Sequence, residues 1–177
     1  MKKITIIGSG GSGKSTLASE LGKILGLPVY HLDALHWKTG WKPTPKKEWD
    51  QLMEELVSRN EWIIDGNYGR SMDVRLQASD TIIYLDYPTY LSLFRGIKRS
   101  MQYYGKTRPD MGEGCAERID FQFFKWILHY RRDQRPNILK KLNMLQDKKN
   151  IHIFASPKQL KNFLKQLNEG TAGKTTV

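Results

Sequence analysis

One glycine-rich segment near the start of the chain constrains the fold more than any other feature. Residues 8–15 read Gly-Ser-Gly-Gly-Ser-Gly-Lys-Ser, which is the G-x-x-x-x-G-K-[ST] spacing of a P-loop. In this pattern backbone N–H groups surround phosphates, the lysine reaches the terminal phosphates, and the hydroxyl group completes a Mg²⁺ shell. We therefore predict a nucleoside triphosphate site with Ser15 on the metal ion. Its residues are Gly8, Ser9, Gly10, Gly11, Ser12, Gly13, Lys14, Ser15 and Thr16.

The sequence on either side of this loop supports the interpretation. Residues 3–7 form a short β-branched run, typical of a buried parallel strand. Residues 15–25 place Leu17 and Leu21 on one helical face, and Gly26 is typical of a helix end. The loop is thus predicted to join a strand to a helix whose N-terminus points at the phosphates.

Strand and helix patterns alternate along the rest of the chain, which is typical of parallel α/β architecture. After the first strand, strand-like runs occur at residues 28–31, 62–65, 81–86 and 151–154. We predict one α/β domain over residues 1–169, a P-loop three-layer sandwich with a five-stranded parallel sheet in the order 2-3-1-4-5. A short basic lid is expected at about residues 105–117, and a disordered tail at residues 170–177.

The positive charge of the chain is concentrated in its second half. The net charge is +11, of which residues 1–80 carry +1 and residues 81–177 carry +10. Such a surplus indicates either nucleic acid or small polyanionic ligands held by arginines, and the sequence contains no helix-turn-helix or zinc-binding pattern. Because it has no apolar run of membrane-spanning length, no signal peptide and one cysteine, Cys115, we expect a cytoplasmic protein without membrane partners.

Aspartates follow three of the predicted strands. Asp33 follows the second strand, Asp65 the third and Asp86 the fourth. Because ligands bind at the carboxyl ends of parallel strands, we expect Asp33 and Asp65 to face the P-loop. A carboxylate there holds Mg²⁺ through water or accepts the proton of an attacking hydroxyl group. Asp86 precedes Tyr87 and Pro88, and we interpret it as the cap of a turn.

Three segments resemble signature motifs of adenylate kinases. Residues 62–70 (WIIDGNYGR) resemble D-G-F-P-R with one residue inserted. Residues 85–88 (LDYP) with Arg95 and Arg99 resemble L-D-x-P and R-x-x-x-R, and residues 107–110 (TRPD) with Arg118 resemble the T-R-x-D at the exit of the lid. The resemblance implies that the transferring phosphates are surrounded by Lys14, Arg99, Arg108 and Arg118. It also implies that Arg95 stacks on the donor adenine and that Arg70 holds the acceptor or its phosphate.

The chain as a whole is similar to a narrower group, the DNA topology modulation (FlaR-type) proteins, which are bacterial P-loop proteins related to adenylate kinases. The similarity lies in residues 31–43 (HLDALHWKTGWKP), 65–68 (DGNY) and 108–115 (RPDMGEGC), and it extends from residue 1 to about residue 168. The group is named for a genetic effect on DNA supercoiling. The resemblance therefore leaves the reaction open.

The segment after the second strand departs from adenylate kinases. It lacks their S-T-G-D acceptor motif and contains residues 31–41 instead. The Lys14-Ser15-Thr16 end of the P-loop is similar to that of kinases acting on small hydroxyl-bearing metabolites, which often place a base where Asp33 falls. Trp37 and Trp41 either stack on an acceptor or anchor this loop on the core, and the sequence leaves both open.

The sequence therefore favours a Mg-ATP-dependent phosphotransferase of the nucleotide or nucleoside kinase type. Its small acceptor is expected to lie against Asp33, Trp37 and Arg70, with Asp33 or Asp65 orienting the acceptor or the metal ion. We expect that acceptor to be a nucleotide, because more positions resemble nucleotide kinases than hydroxyl kinases. The alternative is an ATP-binding regulator associated with DNA, in which the basic half of the chain holds the nucleic acid.

Overall fold

Strands and helices alternate in the structure, a computed structural model that describes residues 1–172. The strands are β1 (Lys3–Gly8), β2 (Val29–His31), β3 (Trp37–Lys38), β4 (Lys42–Pro43), β5 (Trp62–Asp65), β6 (Thr81–Leu85) and β7 (Asn150–Phe154). The helices are α1 (Lys14–Leu25), α2 (Leu32–His36), α3 (Lys46–Ser58), α4 (Met72–Ala78), α5 (Thr89–Gln102), α6 (Phe121–Asp133), α7 (Arg135–Asn143) and α8 (Pro157–Ala172). Among the described residues, none of these helices is long and apolar enough to cross a membrane.

Five of the strands form one parallel sheet in the order β2-β5-β1-β6-β7. Strands β5, β6 and β7 are the third, fourth and fifth of the sequence prediction, so the predicted α/β fold and strand order are confirmed. Ile6 of β1 pairs with Asp65, and Gly8 pairs with Leu85 of β6. The carboxyl ends of the three central strands therefore meet at one edge, where parallel sheets bind ligands.

Helices cover both faces of the sheet because its strands alternate between two apolar sides. Ile4 and Ile6 pack with Leu17 of α1 and with α8, whereas Ile7 packs on the other face with α4, α6 and α7. A third apolar cluster around Trp49 joins α3 to β5. The sheet is thus held rigidly between two helical layers, and its edge is a fixed platform for a site.

Two details differ from the sequence prediction. Helix α8 continues to Ala172, so the first three residues of the predicted disordered tail are helical; the rest, 173–177, lies outside the described residues. The helix persists because Phe163 and Leu164 anchor it on the core. Strand β2 ends at His31 as predicted, but Asp33 lies within the short helix α2, which the sequence analysis did not predict.

The lid segment, residues 105–117, is docked on the hairpin formed by β3 and β4. Gly40 donates its backbone N–H to the Gly114 carbonyl at 3.1 Å, and Trp41 Nε1 donates to the Ala116 carbonyl at 3.0 Å. Cys115 is buried between the two, with its Sγ 3.3 Å from the Lys38 carbonyl oxygen. The lid segment and the hairpin therefore form one wall beside the carboxyl edge of the sheet.

Candidate active site

The P-loop has a conformation that depends on glycine. Gly11 and Gly13 have φ values of +73° and +91°, a left-handed region that strains other residues. A Cβ on Gly11 would lie 2.2 Å from the Ser92 carbonyl oxygen, so the loop packs directly on α5. Helix α1 begins at Lys14, so its unpaired N–H groups face the space that the loop encloses.

Two serine side chains of the P-loop are buried, and its lysine faces the space that the loop encloses. Lys14 Nζ donates to the Ser9 carbonyl at 2.9 Å, and burial lowers the pKa of its ammonium group against the opposing effect of Asp33 and Asp65. The hydroxyl groups of Ser9 and Ser12 are buried without a hydrogen-bond partner in the described residues. Buried polar groups of this kind are costly unless something satisfies them. The loop thus offers the ammonium group of Lys14 and two unpaired hydroxyl groups to a polyanion.

Asp65 connects the P-loop to the next strand. Its Oδ2 accepts a hydrogen bond from Ser15 Oγ at 2.9 Å, and its Oδ1 accepts one from His31 Nδ1 at 2.5 Å. Asp65 is buried, and its hydrogen bond to the imidazole raises the pKa of His31. The hydroxyl and carboxylate oxygens are the hard ligands that Mg²⁺ prefers, and one or two protein carboxylates commonly suffice beside phosphate oxygens.

Asp33 lies across the cavity from the P-loop and is held by Tyr68. Tyr68 Oη donates to Asp33 Oδ1 at 2.9 Å, and burial raises the pKa of Tyr68, which keeps its proton on the oxygen. The ring of Tyr68 is itself fixed between His36 and Trp49, with ring centroids 4.6 Å and 4.9 Å away. One oxygen of Asp33 is therefore oriented, and the sequence analysis missed Tyr68 as its partner.

Arg99 of α5 and Arg108 of the lid segment share a buried acidic partner that the sequence analysis also missed. Glu117 Oε2 lies 2.7 Å from Arg108 Nε, and its Oε1 lies 3.8 Å from Arg99 and accepts a hydrogen bond from Ser100. Arg108 and Glu117 are both buried, and burial lowers the pKa of Arg99. Asp110 Oδ2 takes a further contact from Arg108 at 3.2 Å. The available sequence signal was a glutamate directly before Arg118, in a segment that also contains Asp110 and Glu113.

Arg95 lies at the other end of the site. Its guanidinium group lies 5.7 Å from the centre of the Tyr87 ring, within the range of a cation–π contact. Pro157 and Leu160 at the start of α8 line the same part of the cavity. A flat surface of arginine, tyrosine and apolar side chains is suited to a base.

Trp37 and Trp41 both line the cavity, and both belong to the wall that the β3–β4 hairpin and the lid segment form. Their rings pack edge to face, with centroids 5.7 Å apart, and the Trp41 indole is bonded to the lid segment. The Arg118 guanidinium group lies 5.4 Å from the centre of the Trp41 ring. The two alternatives that the sequence left open are therefore compatible, because these side chains anchor the loop and also face the space.

A single cavity of about 830 Å³ brings most of the predicted residues together. The predicted residues in its lining are Gly10, Gly11, Ser12, Gly13, Lys14, Ser15, Thr16, Asp33, Trp37, Arg95, Arg99, Arg108 and Arg118. Gly8, Ser9 and Asp65 lie behind this lining. Unpredicted lining residues include Asn67, Tyr68, Asp110, Glu117, Phe123 and Trp126.

Arg70 does not belong to this cavity, contrary to the sequence prediction. Its guanidinium group forms a two-pronged ion pair with Asp50 of α3 and is half exposed. The inserted residue in the 62–70 segment leads into the 3₁₀ turn Gly69–Ser71, which follows Tyr68 and carries Arg70 outside. The neighbouring arginine Arg75 is buried instead, where it donates to the carbonyl groups of Gly66 and Tyr68.

The sequence matches no protein-family model and no curated protein. The structure is similar to a shikimate kinase from Acinetobacter baumannii in complex with shikimate, at a TM-score of 0.53 and 15% identity over 100% of this chain and 96% of that one. It is also similar to a gluconokinase from Sinorhizobium meliloti 1021, at a TM-score of 0.52 and 16% identity over 97% and 91%. The chain therefore has the fold of small P-loop kinases. Nothing found here supports the DNA topology modulation family.

Proposed function

We propose that this protein is a phosphotransferase that moves the terminal phosphoryl group of ATP to a small acceptor. The observation that carries the proposal is a single cavity that is lined by the P-loop and also by Asp33, Arg99, Arg108 and Arg118. Phosphoryl transfer requires little covalent chemistry from a protein, because positioning and charge neutralisation lower its barrier. The residues of this cavity supply both.

The donor is proposed to bind with its phosphates in the P-loop and its base beside Arg95. Lys14 and the N-terminus of α1 neutralise the phosphates, and the unpartnered hydroxyl groups of Ser9 and Ser12 fit a polyanion. The oxygens of Ser15 and Asp65, 2.9 Å apart, fit a Mg²⁺ ion, which when bound neutralises charge on the phosphates. The hydrogen bond from His31 orients Asp65 so that its other carboxylate oxygen faces Ser15 and the proposed metal ion.

The acceptor is proposed to be a hydroxyl group and not the phosphate of a nucleotide. The nucleotide expectation rested on the 65–70 segment and on the arginine pairs. Of these residues, Arg70 faces Asp50 outside the cavity, whereas Asp33 faces the cavity. Asp33 takes the proton of the hydroxyl group as its oxygen forms a bond to the γ-phosphorus, and the bond from that phosphorus to the β–γ bridging oxygen breaks to leave ADP. Tyr68 keeps Asp33 in position for this step.

Arg99, Arg108 and Arg118 are proposed to neutralise the equatorial oxygens of the phosphoryl group in transit. Before a ligand binds, Glu117 partly neutralises the buried Arg108 and the partly buried Arg99, which lowers the cost of holding both guanidinium groups beside the cavity. Arg118 is held over Trp41. The arginines are thus positioned in advance of the reaction, which is where most of an electrostatic contribution arises.

The test is ADP release by the purified protein with Mg-ATP and a panel of acceptors that includes sugars, hydroxy acids, nucleosides and nucleotides. We expect ADP in equal amount to one phosphorylated hydroxyl compound, and no more than background without it. Transfer to nucleotides alone would contradict the hydroxyl proposal. ATP binding without turnover across the panel, together with DNA binding that weakens steeply with salt, would favour the DNA-associated regulator instead.

A further inference from the structure

Helix α5 carries an apolar stripe that faces away from the rest of the protein. Tyr90, Phe94, Ile97 and Met101 are spaced by four, three and four residues, so they lie within about 60° of arc on a helix with 3.6 residues per turn. Tyr104, two residues past the helix end, continues the spacing. All five side chains are exposed, and we call them the α5 stripe.

The side of α5 that packs on the P-loop carries small residues. Ser92, Gly96 and Ser100 are buried, and their size allows the P-loop to approach so closely that a Cβ on Gly11 would meet the backbone of Ser92 and Gly96. A surface helix ordinarily turns its apolar side to the core. In α5 this arrangement is reversed, so its apolar side is available to a partner.

The α5 stripe is large enough for a specific contact. Tyr90 is 76% exposed, Phe94 65%, Met101 69% and Tyr104 65%. At roughly 200 Å² for each large side chain the stripe exposes about 600 Å², which is the upper end of the patches found on monomers. Two copies face to face would bury about 1,200 Å², which reaches the lower end of stable protein interfaces.

We propose that the α5 stripe is the contact between two copies of this chain, packed as an antiparallel pair of α5 helices about a twofold axis near Ile97. The spacing of the stripe is almost symmetrical about Ile97, with Tyr90 and Tyr104 seven residues away on either side. Phe94 and Met101 lie three and four residues away. In a twofold interface the residue on the axis meets its own counterpart, so Ile97 packs on Ile97, and Phe94 packs on Met101 of the other copy.

The first test is sedimentation equilibrium of the full chain over the micromolar range. We expect the mass to rise with concentration from 20.6 kDa toward twice that value. Met101→Glu places a charge in the stripe and is expected to weaken the dimer at least tenfold. Met144→Glu is the matched control, because Met144 is 73% exposed but lies outside α5; it is expected to leave the dimer constant within a factor of two.

The second test is disulfide formation between copies. Oxidised Ile97→Cys is expected to form covalent dimers and Met144→Cys is not, while the buried Cys115 does not interfere. A single 20.6 kDa species at every concentration, or equal loss of dimer in Met101→Glu and Met144→Glu, would overturn the proposal. So would monomeric wild type binding vesicles of phosphatidylglycerol and phosphatidylcholine through the stripe, with loss of that binding in Met101→Glu. Circular dichroism checks that each variant is folded.

Discussion

The two ends of the cavity are built in different ways. The phosphate end is made by one continuous segment, residues 8–16, in which backbone geometry and the start of α1 create the site. The acceptor end combines α2, the β3–β4 hairpin and the lid segment. Its geometry depends on contacts between distant parts of the chain, such as that of Tyr68 with Asp33 and that of Trp41 with the Ala116 carbonyl group.

This difference teaches how specificity is divided within one site. The backbone of the P-loop recognises phosphates, which every nucleoside triphosphate shares. The residues of the phosphate end therefore do not have to change when the acceptor changes. The acceptor end is made of loops on a rigid scaffold, where residues are exchanged without disturbing the sheet. We therefore expect substitutions at the phosphate end to abolish donor binding, and substitutions at the acceptor end to change turnover while ATP still binds.

The largest effect is expected for Lys14→Ala. It removes charge-assisted hydrogen bonds worth roughly 3 kcal/mol, so ATP affinity should fall about 100-fold. The fold should persist, because burial already disfavours this ammonium group. Calorimetric titration of ATP measures the affinity, and Lys23→Ala, an exposed lysine of the same helix, is the control. Equal affinity in Lys14→Ala and wild type would remove the P-loop interpretation.

The lid arginines are expected to act on the rate. Arg108→Ala and Arg118→Ala should each lower kcat on the order of 100-fold, because each removes a charge from the phosphoryl group in transit. ATP affinity should change little. Steady-state kinetics with the identified acceptor gives both values. Wild-type kcat in both variants would show that the lid segment has no part in transfer.

The fold and the phosphate end could be predicted because their signals are local. Each strand is a short apolar run, and the P-loop glycines stand at fixed spacing. The acceptor end could not be predicted in full, because one residue inserted before Arg70 redirects its side chain to Asp50. Glu117 was missed because nothing local indicates that it meets Arg108 and Arg99 in space. The end of β2 at His31 was predicted, but helix α2, which carries Asp33, was not, because a five-residue helix is too short to show an apolar period.

Glu117→Gln should affect stability. It removes the closer of the two carboxylates that pair with the buried guanidinium group of Arg108 and leaves Asp110, which we expect to lower the free energy of unfolding by about 2 kcal/mol. Urea denaturation measures this, and Glu113→Gln, an exposed glutamate of the lid segment, should change the value by less than about 0.5 kcal/mol. Similar results for the two variants would mean that the ion pair does not hold the lid segment.

Arg70→Ala is expected to have the smallest effect. Arg70 and Asp50 form an exposed ion pair, which contributes little to stability in water, and neither side chain lines the cavity. The acceptor KM and kcat should stay within about twofold of wild type, and Asp50→Asn should behave in the same way. A sharp rise in KM for Arg70→Ala alone would return this arginine to the acceptor site.

The most direct test of the account compares ATP affinity and turnover in Asp33→Asn. The variant keeps the size of Asp33 and removes its ability to take a proton, so transfer to a hydroxyl acceptor should fall by about 10² to 10⁴. ATP affinity, measured by calorimetry on the same sample, should equal that of wild type. Full turnover in Asp33→Asn would contradict the assignment of the acceptor end. A matching loss of ATP affinity would contradict the division of the cavity into two ends.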